Sequence, residues 1–178
     1  MNPIKIHDIA SATFLIPFST LCVTEVVSGY TIYPLFLTHA FLFHMTYDLL
    51  WIILQPSIIP KMRSIIILHH LVCILAISRP LIHTHESRMT AYACLVEIDT
   101  SLLMLKRLFP DYDAFKYMYY MSNIGIRTYY ETFFTIIVWN YYAYQGVWYI
   151  IFCQLFINIL SCGICALTWS RKNPALIQ

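Results

Sequence analysis

From Ser64 to Ser78 the chain carries no acid and no base except two adjacent imidazoles, His69 and His70, set in an otherwise apolar run. With its flanks this run reaches the roughly 20 residues that a membrane-crossing helix needs. Five further stretches have the same character, so the candidate spans are 9–27, 31–54, 64–82, 89–108, 115–138 and 147–169. Only 11% of the 178 residues are charged and 60% are hydrophobic. So few charged groups cannot supply the surface of a soluble domain, for which roughly 25% charge is ordinary. The expected fold is therefore all-α: a polytopic membrane protein whose six transmembrane helices bundle around a polar cavity open to the cytosolic side.

Turn chemistry separates the spans. Ser28-Gly29 closes the first, Gln55-Pro56 to Pro60-Lys61 separates the second and third, and Arg79-Pro80 is expected to end the third, since proline removes a helix hydrogen bond. Phe109-Pro110-Asp111 stops the fourth, and Trp139 to Gly146 links the fifth and sixth. Residues 1–30 then hold an N-terminal segment and first helix, 31–170 the main transmembrane domain and 171–178 a tail. Val26 and Ser28 fit the positions before a signal-peptidase cut, but retention of the first helix is preferred. The six cysteines all lie in apolar segments, where they act as small hydrophobes. No disulfide framework and no metal or bound cofactor is expected.

Lys5, Lys61, Arg63, Lys106, Arg107, Lys116, Arg171 and Lys172 fall on the side that carries both termini, whereas Arg79 and Arg88 fall on the other. The positive-inside rule places both termini in the cytosol. The net charge of +2, scattered in short loops, argues against a nucleic-acid partner.

Orientation fixes depth. At 1.5 Å per residue, His69 lies roughly 9 Å inward from Arg63, Asp48 roughly 10 Å from Gln55, Asn123 roughly 10 Å from Lys116 and Glu97 roughly 14 Å from Lys106, with Arg127 near the midplane. Lipid cannot solvate such groups, so they should point into a shared interior. Asn123, Arg127 and Glu131 share one helix face, and His44 and Asp48 share another. The plainer alternative for Arg127 and Glu131 is a buried ion pair with each other. Asp99 sits nearly opposite Glu97 on the helical wheel, so the two are not expected to face one pocket. His83, His85 and Glu86 read as a solvated loop.

These residues resemble a known family. A His-His pair on an apolar helix, followed by Leu95-Val96-Glu97-Ile98-Asp99-Thr100-Ser101-Leu102-Leu103-Met104-Leu105-Lys106-Arg107, is similar to the TLC domain of ceramide synthases, translocon-associated membrane proteins and their homologues. Tyr47-Asp48 before it, and Asn123 with Arg127 after it, fit the same pattern, which extends from about Tyr30 to Trp169. In the ceramide synthases that resemblance implies acyl transfer from a coenzyme A thioester to a lipid amine in the endoplasmic reticulum membrane. The family's acidic motif departs here: Glu97 falls at its first aspartate, Val96 replaces the preceding histidine and Thr100 the second aspartate. That departure is similar to the branch outside the ceramide synthases, which is linked to lipid homeostasis.

The resemblance implies His69, His70, Glu97 and Asp48 as catalytic groups. One imidazole would act as general base or nucleophile, with His70 preferred, and a carboxylate would fix its tautomer. Tyr47, Asn123, Arg127 and Thr100 would bind the polar part of the substrate. Acyl-CoA is the implied co-substrate and membrane lipids are the implied partners; a homodimer is left open. The alternative is a lipid-binding or regulatory protein that keeps the pocket without chemistry. A haem or di-iron protein using His44, His69 and His70 would need further HxxxH or HxxHH clusters, which the sequence lacks.

Overall fold

The computed structural model describes residues 3–29, 33–58 and 62–172. Lys61 and the tail beyond Lys172 lie outside the described residues. Every regular element among them is helical: α1 (Pro3–Ser28), α2 (Pro34–Leu54), α3 (Arg63–Ile82), α4 (Arg88–Ala93), α5 (Glu97–Leu108), α6 (Asp113–Ile124), α7 (Glu131–Tyr144) and α8 (Trp148–Lys172). Short 3-10 turns at Thr84–Glu86 and Cys94–Val96 flank α4, and a π-helical stretch, Gly125–Tyr130, joins α6 to α7.

Four helices, α1, α2, α3 and α8, are long and apolar enough to cross a membrane. Where single spans are expected at 89–108 and 115–138, the structure has two interrupted rods, α4–α5 and α6–α7. The interruptions coincide with the polar residues. Glu97 opens α5 and Arg127 sits in the π stretch, where the wider turn re-aims side chains; such bulges are frequent at functional sites.

These six rods close on themselves. α1 packs on α2, α2 on α3, α3 on α8, α8 on α7, α6 on α5, and α5 returns to α1. The first helix is thus a wall of the same ring as the rest. It also begins at Pro3, ahead of the expected residue 9, and buries His7 and Asp8. Outward faces are apolar, with Phe43, Leu54, Ile82, Met121 and Ile159 exposed. A soluble protein would hide such side chains, and a bilayer solvates them.

Two apolar clusters hold the ring. Leu15, Phe18, Leu37, Phe41, Met45 and Ile77 join α1, α2 and α3. Phe134, Val138, Tyr142, Ile150 and Ile151 join α7 to α8. All six cysteines are free thiols.

Three expected boundaries move. Pro80 does not end α3, which runs on to Ile82, because a proline three residues from the end forfeits only one hydrogen bond. The expected 139–146 link shrinks to three residues, since α7 continues to Tyr144 and ends in a Schellman motif: Val147 N–H bonds Tyr142 C=O at 3.0 Å and Gly146 N–H bonds Ala143 C=O at 3.1 Å. Gly146 has φ +72°, with no heavy atom near the position a Cβ would take. Gly146→Ala should therefore cost about 1 kcal/mol from backbone strain alone. Gly125→Ala, at φ −65°, should lie within about 0.5 kcal/mol of wild type. Equilibrium unfolding in mixed micelles measures both.

The third change concerns Glu86, expected in a solvated loop. The 3-10 turn folds it inward to 2% exposure, where Arg79 grips it through Nε (2.8 Å) and Nη2 (2.7 Å) and the Tyr142 hydroxyl donates at 2.8 Å. Burial alone would push this carboxyl up, but the hydrogen bonds from Arg79 and Tyr142 outweigh it and hold it below its ordinary value of 4.5. Its contribution to stability is thus complete above that value and drains away as pH falls through the lower, folded one. Glu86→Gln should flatten the acid limb of a stability-versus-pH curve while leaving the shape above pH 5 or so unchanged.

Candidate functional site: a cavity inside the helical ring

A cavity of about 270 Å³ lies within the ring, and all six rods contribute to its wall. Its surface is largely apolar, with convergent polar groups, which is the usual make-up of a ligand pocket.

On one side, Asp48 of α2 holds two imidazoles. Its Oδ2 is 2.8 Å from His70 Nε2 on α3, and its Oδ1 bonds His7 Nε2 on α1. Next to His7, Asp8 pairs with Arg107 at the end of α5, 3.2 Å away. His44, one turn before Asp48, is buried and stacks on Phe14 with ring centres 4.6 Å apart. Sequence reading missed His7, because it treated residues before 9 as a leader. The four-residue spacing of His7, Ser11 and Leu15, all in the cavity wall, was the available signal.

The two central histidines differ in what they have left to offer. The Nδ1 of His70 bonds the Ile66 carbonyl at 2.8 Å while its Nε2 meets Asp48. Both nitrogens are taken up by oxygen partners, so His70 has no free ring nitrogen. His69, perpendicular to it with ring centres 5.6 Å apart, also lines the cavity, and among the described residues its nitrogens reach only the Cys73 sulfur, at 3.7 and 3.9 Å. Of the two, it is His69, and not the preferred His70, whose ring nitrogens bond no oxygen or nitrogen among the described residues. Asp48, and not Glu97, is the carboxylate hydrogen-bonded to the pair.

The opposite wall is built on Asp99. Arg127 donates to it through Nε and to Thr100 Oγ1 through Nη2 at 2.9 Å; Ser122 donates at 2.6 Å and Asn123 Nδ2 at 3.4 Å. Asp99 is 1% exposed and Asn123 fully buried. Arg127 is thus paired with Asp99, and not with Glu131 as the plainer sequence alternative had it. Glu97 and Asp99 do both border the cavity. At 100° per residue they are roughly 160° apart, and they occupy the two edges of a broad face of α5 centred on Thr100. The sequence expectation had assumed a narrow one.

Of the expected binding group, Arg127 and Thr100 border the cavity, while Asn123 sits behind it, bonded to Asp99. Tyr47 does not join them: it is 43% exposed, points outward and packs edge-on against Trp51. It follows Thr46 and precedes Asp48 on α2, so the helical turn that brings Asp48 inward turns Tyr47 out. Among the described residues no group of three or more His, Cys, Asp or Glu side chains is disposed to hold a metal ion.

Comparison with known proteins returns no match: no protein family, no curated protein and no solved structure is recognisably similar to this chain.

Proposed function

We propose that this chain is a six-span membrane protein of TLC-like type that takes a single lipid chain and its activated head into the cavity and transfers an acyl group from a coenzyme A thioester to a lipid amine. The observation that carries the reading is His69, an imidazole with an uncommitted nitrogen, standing in an intramembrane cavity beside the His7–Asp48–His70 array. At 1.5 Å per residue the rods 88–108 and 113–144 are roughly 30 Å and 48 Å long, enough to cross a bilayer alongside the four long helices. The excess of bases on the termini's side supports a cytosolic mouth near Arg107 and His7, within reach of a water-soluble thioester, in the endoplasmic reticulum membrane that the resemblance implies.

In this reading the acceptor nitrogen attacks the thioester carbonyl as His69 takes its proton. The carbon–sulfur bond breaks, coenzyme A leaves as thiolate, and the imidazolium returns the proton to sulfur. His70, fixed by Asp48 and Ile66, holds the helix and the neighbouring ring in place and is a positioning residue.

A second reading, lipid binding without turnover, is favoured by one observation: Arg127, a cation of the cavity wall, spends its hydrogen bonds on Asp99 and Thr100. The full chain, purified into phospholipid nanodiscs and supplied with long-chain acyl-CoA and a long-chain amine, separates the two. Amide formation supports transfer. A stoichiometric, chemically unchanged lipid with no amide replaces transfer by binding, and neither amide nor bound lipid sinks both.

A further inference from the structure

Glu131 lies in the cavity wall at 1% exposure, and its Oε2 has no hydrogen-bond partner among the described residues. A buried carboxyl oxygen without a donor is costly to keep and calls for an explanation. Of the neighbouring donors, only Ser161 and Gln154 reach the carboxyl, and neither satisfies Oε2. Arg127, one turn earlier, bonds Asp99 and Thr100; the amide of Gln154 donates to Thr135 at 3.2 Å, and Thr135 in turn donates to the Glu131 carbonyl at 2.7 Å. Gln154 and Ser161 stand beside the carboxyl, both buried, on one stripe of α8 that also presents Ile157, Leu160 and Ile164 to the cavity. The result is a small polar patch, with one carboxyl oxygen left unbonded among the described residues, set into an apolar wall.

We propose that Glu131, flanked by Gln154 and Ser161, forms a subsite that accepts a hydrogen bond from the hydroxyl or amine of a single-chain amphiphile held in the cavity, and so selects ligands by the donor on their polar end. The proposal rests on the reading that the cavity holds a lipid, and it adds which chemical feature of that lipid is recognised and by which residues. The apolar stripe on α8 takes the chain, and the Glu131 carboxyl takes the N–H or O–H.

The test uses the purified full chain in detergent with four probes: myristyl alcohol, myristylamine, and their capped counterparts, myristyl methyl ether and myristyltrimethylammonium. Binding is read by native mass spectrometry for wild type, Glu131→Gln, Glu131→Leu and Ser161→Ala. Wild type should hold the uncapped probes about tenfold more tightly than the capped ones, as for one hydrogen bond to a charged or strongly polar acceptor. Glu131→Leu should bind all four alike, Glu131→Gln should keep the alcohol preference, and Ser161→Ala should weaken discrimination severalfold. Equal binding of capped and uncapped probes by wild type overturns the subsite while leaving the lipid cavity standing, as does unchanged discrimination in Glu131→Leu. If Glu131→Leu fails to fold, the alcohol-to-ether ratio in Ser161→Ala decides, and an unchanged ratio overturns the proposal. Failure of every amphiphile to bind overturns both this inference and the cavity reading beneath it.

Discussion

Asp99→Ala, with Arg127 left in place, is expected to lower stability by about 3–5 kcal/mol, the cost of stranding a buried charge. Asp99 is the hub of the α5–α6 contact, since it receives hydrogen bonds from Arg127, Ser122 and Asn123. Removing it leaves a guanidinium whose side chain is only 13% exposed without its main partner. Arg127→Met in the Asp99→Ala background should recover much of the loss, because it removes the stranded charge. The double-mutant cycle, measured by reversible unfolding in mixed micelles, should yield a coupling of about 2 kcal/mol or more. Additive losses would show that the pair does not hold the rods together.

The second large effect concerns the histidines. His69→Ala should reduce acyl transfer by about a hundredfold to ten-thousandfold, the range for losing a general base, with little change in stability, because among the described residues its ring bonds nothing firmer than the Cys73 sulfur. His70→Ala should behave differently. It leaves Asp48 with His7 alone and frees the Ile66 carbonyl, so stability should fall by about 1–3 kcal/mol and activity should fall with it. His70→Gln, which keeps donors on the same side, should recover part of the stability. The split between the two variants is the informative readout: equal loss of stability in both, or equal loss of rate without loss of stability, would remove the distinction drawn from their hydrogen bonds.

Much of this arrangement was legible in advance because membranes penalise polar groups so severely. The apolar runs located the helical rods, four of which are long and apolar enough to cross a membrane, and the helical ends at Ile82, Leu108 and Tyr144 fall within a few residues of turn signals or beyond them by a countable margin. The convergence of Asp48, His70, Glu97, Thr100 and Arg127 on one cavity followed from their depth along separate helices. Their partners did not. Asp99 was set aside for facing the wrong way, yet it is the carboxylate that Arg127 pairs with, because the cavity meets α5 over a broad face. His7 was overlooked because α1 begins six residues sooner than its apolar run does, and Glu86 because a 3-10 turn can tuck a loop carboxylate beneath Arg79.

What the sequence by itself determined is the class of solution: an all-helical chain, which surfaces tolerate lipid and which side chains must be turned away from it. Those outcomes depend on local periodicity and on the cost of an unsatisfied group in hydrocarbon, both of which are properties of a segment alone. Only tertiary structure decided who bonds whom. The choice of Asp99 over Glu131 by Arg127, of Asp48 over Glu97 by His70, and the orphaned oxygen of Glu131 depend on a π-helical turn and on distances between rods, to which residues far apart in the chain contribute jointly.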